Sequence, residues 1–142
     1  MLQLNFIREN TDATLAGLQK RNFPNAEAVM QDVLQLDQQR RDTQRDLDDT
    51  LAQAKMLANQ IGQLMKTGQR EAAEAAKAET ATLKTRSREL EETLRSTEEQ
   101  LQAVLVQLPN LPHASVPAGR SAEDNVVERE VGEKPTLPEG AQ

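Results

Sequence analysis

Arg70, Lys77 and Lys84 recur at seven-residue intervals, a spacing that sets three cations along one flank of a coiled-coil helix. Lys55 and Arg88 fall beside that flank on the helical wheel, and Lys66 stands at the turn between the two halves of the pattern. A row of cations does one kind of chemistry well. It holds phosphates and releases their condensed counterions, which gives salt-dependent, sequence-blind binding to a polyanion. The blander reading is that Lys and Arg flank most coiled-coil seams, their stems covering apolar neighbours. The net charge of −6 argues at first against a polyanion, but its distribution reverses that. From Lys55 to Arg88 there are seven basic residues, Arg86 included, against Glu71, Glu74 and Glu79. That stretch is +4, so the rest of the chain is −10. A basic end on an acidic body focuses a polyanion onto that end. No aromatic residue lies in the stretch to stack unpaired bases, so duplex shape and backbone are what this surface can read.

No other constellation carries chemistry. There is no glycine-rich phosphate loop and no paired metal-ligand motif. His113, the single histidine, lies between prolines and reads as a hydrogen-bonded turn residue rather than a general base; Ser115 has no base at a predictable position. The chain has no cysteine, hence no disulfide framework and no thiolate metal site, and a reducing cytoplasm is the expected compartment. The opening MLQLNFIREN lacks the apolar run of a signal peptide, and no later segment approaches a membrane span. The expectation is a soluble, cytoplasmic protein with no membrane partner.

The elements that must present the cations are two long heptad-patterned segments. Seam positions at alternating three- and four-residue steps give Val29, Val33, Leu36, Arg40, Thr43, Leu47, Thr50, Ala54, Leu57, Ile61 and Leu64 in the first. In the second they give Ala73, Ala76, Thr80, Leu83, Ser87, Leu90, Leu94, Thr97, Leu101, Val104 and Leu108. Such spacing keeps a narrow apolar seam turned to one partner helix. Between them Lys66-Thr67-Gly68-Gln69 offers a glycine for the left-handed residue that ends a helix. So short a connection makes the helices antiparallel neighbours, reaching roughly 55 Å at 1.5 Å per residue. In that pairing the Arg70–Lys77–Lys84 flank faces Leu51, Ala58 and Met65; Asp46 and Gln53 face Glu79 and Arg86 on the other side. Thr43, Thr50, Thr80, Ser87 and Thr97 weaken the seam while offering to fix its register. Arg40 is expected to snorkel to Glu98, Glu91 or another nearby acid.

The fold class is therefore all-α: a long antiparallel two-helix arm on a small helical base, with an extended C-terminal linker. Residues 1–24 form the base, with Thr11 capping a second short helix and Leu2, Leu4, Phe6, Ile7, Leu15, Leu18 and Phe23 packing on the root of the arm. Residues 25–108 form the arm, capped at Asn25, with its tip near 66–70. Residues 109–142 read as linker: Pro109, Pro112 and Pro117 end the helix, Val126, Val127 and Val131 make a β-prone stretch without a partner, and EKPTLPEGAQ closes the chain.

The opening LNFIREN, the two-helix arm, the exit PNLPHASVP and the following DNV together closely resemble the N-terminal region of bacterial seryl-tRNA synthetases. The resemblance covers nearly the whole chain, and the two end motifs are its specific part. It implies an arm that lies against the long variable arm and elbow of serine tRNA, across a dimer interface, reading shape and backbone. It places tRNA contacts on Lys55, Lys66, Arg70, Lys77, Lys84 and Arg88, and leaves selenocysteine tRNA open as a second partner. It also implies a parent homodimer, a serine–tRNA ligase of class II that uses ATP and Mg²⁺ to join serine to tRNA. The catalytic part of that family has no counterpart here, so this stretch alone is expected to lack ligase activity, to hold no cofactor and to be free to be monomeric. The contrasting reading is a coiled-coil tether or chaperone-like arm that binds protein. A membrane-surface hairpin is excluded because the apolar stripe is narrow and used up by the partner helix.

Overall fold

In the computed structural model the described residues are 2–132, and they form four α-helices: α1 (Leu4–Glu9), α2 (Thr11–Lys20), α3 (Ala26–Lys66) and α4 (Arg70–Leu105). A single 3₁₀ turn follows at Ala122–Asp124. Helices α3 and α4 pack along each other as the expected antiparallel hairpin. With 41 residues, α3 is about 60 Å long at 1.5 Å per residue. Every seam residue read from the heptads is buried or half-buried.

The seam is thin in chemistry as well as in width. Its hydroxyls turn back on their own helices: Thr50 donates to the Asp46 carbonyl at 2.7 Å, Thr80 to Ala76 at 2.8 Å, Ser87 to Lys84 at 3.0 Å and Thr97 to Thr93 at 2.8 Å. These four seam hydroxyls are thus satisfied locally, as buried polar groups usually are. Among the described residues no side-chain hydrogen bond or ion pair crosses from α3 to α4. The polar seam residues therefore make no hydrogen-bonded tie between the helices.

At the tip, α3 ends in a Schellman turn. Gly68 takes φ +78, and the N–H of Gln69 reaches the Leu64 carbonyl at 3.0 Å while that of Gly68 reaches Met65 at 3.4 Å. At the root the stripe widens, because α1 and α2 add a third side. Ile7, Leu18, Ala26, Met30, Val33, Leu101, Leu105 and Leu108 form the core there, with Leu2, Leu4, Leu15 and Phe23 packed on it. Phe6, expected in this set, is 42% exposed. A six-residue helix turns only one face inward, and Ile7 with Leu4 three residues before it take that face. Thr14, one turn before Leu18, is fully buried.

Three helix ends differ from expectation. Thr11 does not cap α2; its hydroxyl donates backwards to the Ile7 carbonyl at 3.0 Å. Asn25 does precede α3, but as a left-handed residue (φ 53, ψ 34) without a side-chain capping bond. Asparagine tolerates that region better than most residues, so backbone geometry explains the choice. And α4 stops at Leu105 rather than Leu108: the last turn tightens through Gln107 N–H to Val104 and Leu108 N–H to Leu105, both 3.1 Å, ahead of Pro109. Val126, Val127 and Val131 are exposed and form no strand. The EKPTLPEGAQ segment lies outside the described residues.

Candidate nucleic-acid interface

The outer half of the arm carries the cations. Lys55 and Lys66 project from α3, and Arg70, Lys77, Lys84 and Arg88 from α4; all six side chains are on exposed residues. Only Lys77 has an acidic partner among the described residues, Glu74 at 2.7 Å one turn before it. Both members of that pair are solvent-exposed, so it is worth little and yields readily to a competing anion. The other five have no carboxylate within ion-pair distance among the described residues.

The flanks separate as the heptads require. Asp46, Gln53 and Arg86 line one groove together with Asp49, Thr50 and Leu83, so the mixed flank is one side of the hairpin. That leaves the Arg70–Lys77–Lys84 row to the side of Leu51, Ala58 and Met65. Leu51 and Met65 are about half exposed, at 47% and 50%, as flanking positions are. Lys66 and Arg70 bracket the polar turn Thr67-Gly68-Gln69. The arrangement gives a row of mobile ammonium and guanidinium groups some 20 Å long between Arg70 and Lys84 at 1.5 Å per residue. That is the form of a surface that tracks a phosphate backbone.

The root carries a different electrostatic feature, and in it Arg40 finds a nearby acid other than the two named from the sequence. Arg40 pairs with Asp37, not with Glu91 or Glu98: Nη2 donates to Oδ1 at 3.0 Å. Arg41 Nε donates to Oδ2 of the same carboxylate at 3.1 Å, and Arg8 of α1 does so at 3.2 Å. Asp37 is 2% exposed. Burial alone pushes its carboxyl up, but the hydrogen bonds from Arg40 and Arg8 and the charges of Arg40 and Arg41 outweigh that and hold it below the usual carboxylate range. The i, i+3, i+4 spacing of Asp37, Arg40 and Arg41 was a readable signal. Nothing local pointed to Arg8.

His113 is the turn residue it was taken for. Its Nδ1 lies 3.0 Å from Ser115 Oγ and accepts the Ser115 N–H at 3.3 Å. The two side chains do meet, contrary to expectation, but both are exposed and the ring nitrogen is engaged by the backbone. The pair closes a turn, with Val116 N–H donating to the His113 carbonyl at 3.1 Å. Among the described residues no group of three or more His, Cys, Asp or Glu is placed to hold a metal ion. Nor is any described helix long and apolar enough to cross a membrane.

Fold and surface define a class: a two-helix arm with a basic outer half, raised on a small helical base. Residues 1–112 match the family described as "Seryl-tRNA synthetase N-terminal domain". The chain belongs to that family. It is 40% identical over 135 residues to a serine–tRNA ligase of Rhizobium etli, covering 95% of this chain and 31% of that protein. A serine–tRNA ligase of Delftia acidovorans is 35% identical over 137 residues, covering 96% and 31%. One of Dehalococcoides mccartyi is 38% identical over 134 residues, covering 94% and 29%. The chain thus spans about a third of the length of these relatives.

Proposed function

We propose that this chain is a tRNA-binding arm that lies along the long variable arm and elbow of serine tRNA and recognises shape and backbone. In that role it serves the ATP-dependent attachment of serine to tRNA; its relatives are named serine–tRNA ligases. The observation that carries the proposal is the row of exposed, largely unpaired cations on the outer half of the hairpin, in a chain otherwise acidic. Family membership supplies the class of partner. Lys55, Lys66, Arg70, Lys77, Lys84 and Arg88 are the proposed phosphate contacts, and the base at 1–24, the arm at 25–108 and the segment from 109 are its functional parts. In this reading ATP and Mg²⁺ are bound elsewhere in the ligase. Dimerisation of the ligase and use of selenocysteine tRNA belong to the same proposal.

One observation favours a protein-binding tether instead: Leu51, Met56 and Met65 expose apolar surface on the outer half. Titration with serine tRNA and with a tRNA lacking the long variable arm, each at two salt concentrations, separates the readings. The proposal expects salt-sensitive binding with preference for serine tRNA. Equal binding to both removes discrimination from the arm. Absence of binding at low salt overturns the RNA reading in favour of the tether.

A further inference from the structure

The exit motif PNLPHASVP does more than end a helix. After Leu108 the chain runs back along α2, and four contacts hold it there. Leu111 packs over Gly17, where a Cβ would stand 2.8 Å from Leu111 Cδ2, so only glycine admits this approach without a shift. Arg21 Nη1 donates to the Asn110 carbonyl at 2.6 Å. Lys20 Nζ donates to the Ala114 carbonyl at 3.4 Å. Asn22, itself left-handed at φ 53, donates its amide to the Gly119 carbonyl at 2.9 Å. Beyond it, Asp124 accepts the N–H groups of Arg120 at 2.7 Å and Ser121 at 3.0 Å and closes the segment into a hook. Three prolines limit the freedom this strap has to lose on docking.

The opposite side of the base is tied to the arm. Arg8 of α1 bonds to Asp37 within α3, and Ile7 and Leu18 are fully buried in the core with Met30 and Val33. We infer that α1 and α2 act as an orienting block with two clamps: Arg8–Asp37 fixes the block to the arm, and Gly17 with Lys20, Arg21 and Asn22 fixes the strap 109–125 to the block. The chain past residue 125 then departs at a set angle to the arm. In a ligase of the relatives' length, these residues are positioning residues that aim the arm; none of them touches RNA in this proposal.

The absence of native cysteine makes the test direct. Spin labels are placed at Gln39→Cys on α3 and Ala118→Cys on the strap, both exposed, and the label-to-label distance distribution is measured. A narrow distribution is expected in the otherwise unsubstituted chain. It should broaden in Arg21→Gln/Asn22→Gly, which keeps the left-handed backbone at 22 but deletes both ties, and in Arg8→Gln, with helical circular dichroism retained. A broad distribution before any clamp is removed overturns the block whatever the variants do. A distribution that stays narrow in either variant overturns it as well. RNA affinity plays no part in the readout, so this inference and the RNA reading fail separately.

Discussion

Arg8 and Asp37 meet at 3.2 Å across 29 residues of sequence, joining the first helix of the base to the shaft of the arm. One nearly inaccessible carboxylate answers three guanidiniums, each about a third exposed. The cluster is thus a net positive knot in which the single anion is the indispensable member. Asp37→Ala should cost about 1–3 kcal/mol, below the range for a fully buried pair because the arginines keep contact with water. The pH dependence has a definite sign. Asp37 is depressed in the fold, so its contribution is full above the ordinary value of 3.8 and is lost as pH falls below it toward the folded value. Urea midpoints measured between pH 6 and pH 2 should fall more steeply at the acid end for the native chain than for Asp37→Asn.

Replacing Arg70, Lys77 and Lys84 together with Gln should leave helicity and melting nearly unchanged, since all three side chains are exposed. RNA affinity should drop, and the slope of log affinity against log salt should shrink by about 2–3. Unchanged affinity, or collapse of the helical signal, contradicts the stripe assignment.

Leu101→Asp should be among the most damaging single changes to the root of the arm. Leu101 is 3% exposed within the core, and the substitution both removes its packing and buries a charge, at a cost of about 4 kcal/mol. Leu90→Asp and Leu94→Asp should unzip the same region less severely, because those seam positions are only half-buried. Chemical denaturation of the three variants checks the order.

Thr14→Val should stabilise the chain by about 1 kcal/mol. The Thr14 hydroxyl is fully buried and has no hydrogen-bond partner among the described residues, so valine keeps the shape and removes the desolvation cost. A lower melting temperature for Thr14→Val would mean that the hydroxyl is satisfied after all.

Gly68→Ala should strain the tip by about 1–2 kcal/mol, because φ +78 is a left-handed conformation and no neighbour stands within 4 Å to resist the methyl itself. Hydrogen exchange should quicken near Leu64 and Ala73 and stay as it was near Leu101. Uniform acceleration along the arm would indicate instead that tip and root open together.

The arm was legible because a two-helix seam is a local, periodic pattern: Val33, Leu47, Ala73 and Leu101 announce their inward face without reference to anything else. The glycine at 68 announced the turn for the same reason. What escaped depends on contacts between distant residues. Asp37 sits off the heptad seam, and one of its partners, Arg8 of α1, comes from 29 residues away, which no periodicity in α3 can encode. Phe6 was assigned by hydrophobicity, yet a helix of six residues has room for only one buried face. Lys20, Arg21 and Asn22 looked like the polar end of a helix, and their carbonyl partners lie about ninety residues further on. The cation row was legible in the same periodic way as the seam, and its exposure follows from lying just outside it.

Because nothing polar crosses the seam, the arm has no fixed graduation except the heptad. Removing seven residues from each helix at matching levels keeps every remaining seam pair in phase and withdraws the tip by about 10 Å. The hairpin is in effect a ruler that can be cut to measure. How far the tip must travel to meet its target can then be found by shortening the arm in steps, with the fold itself left whole.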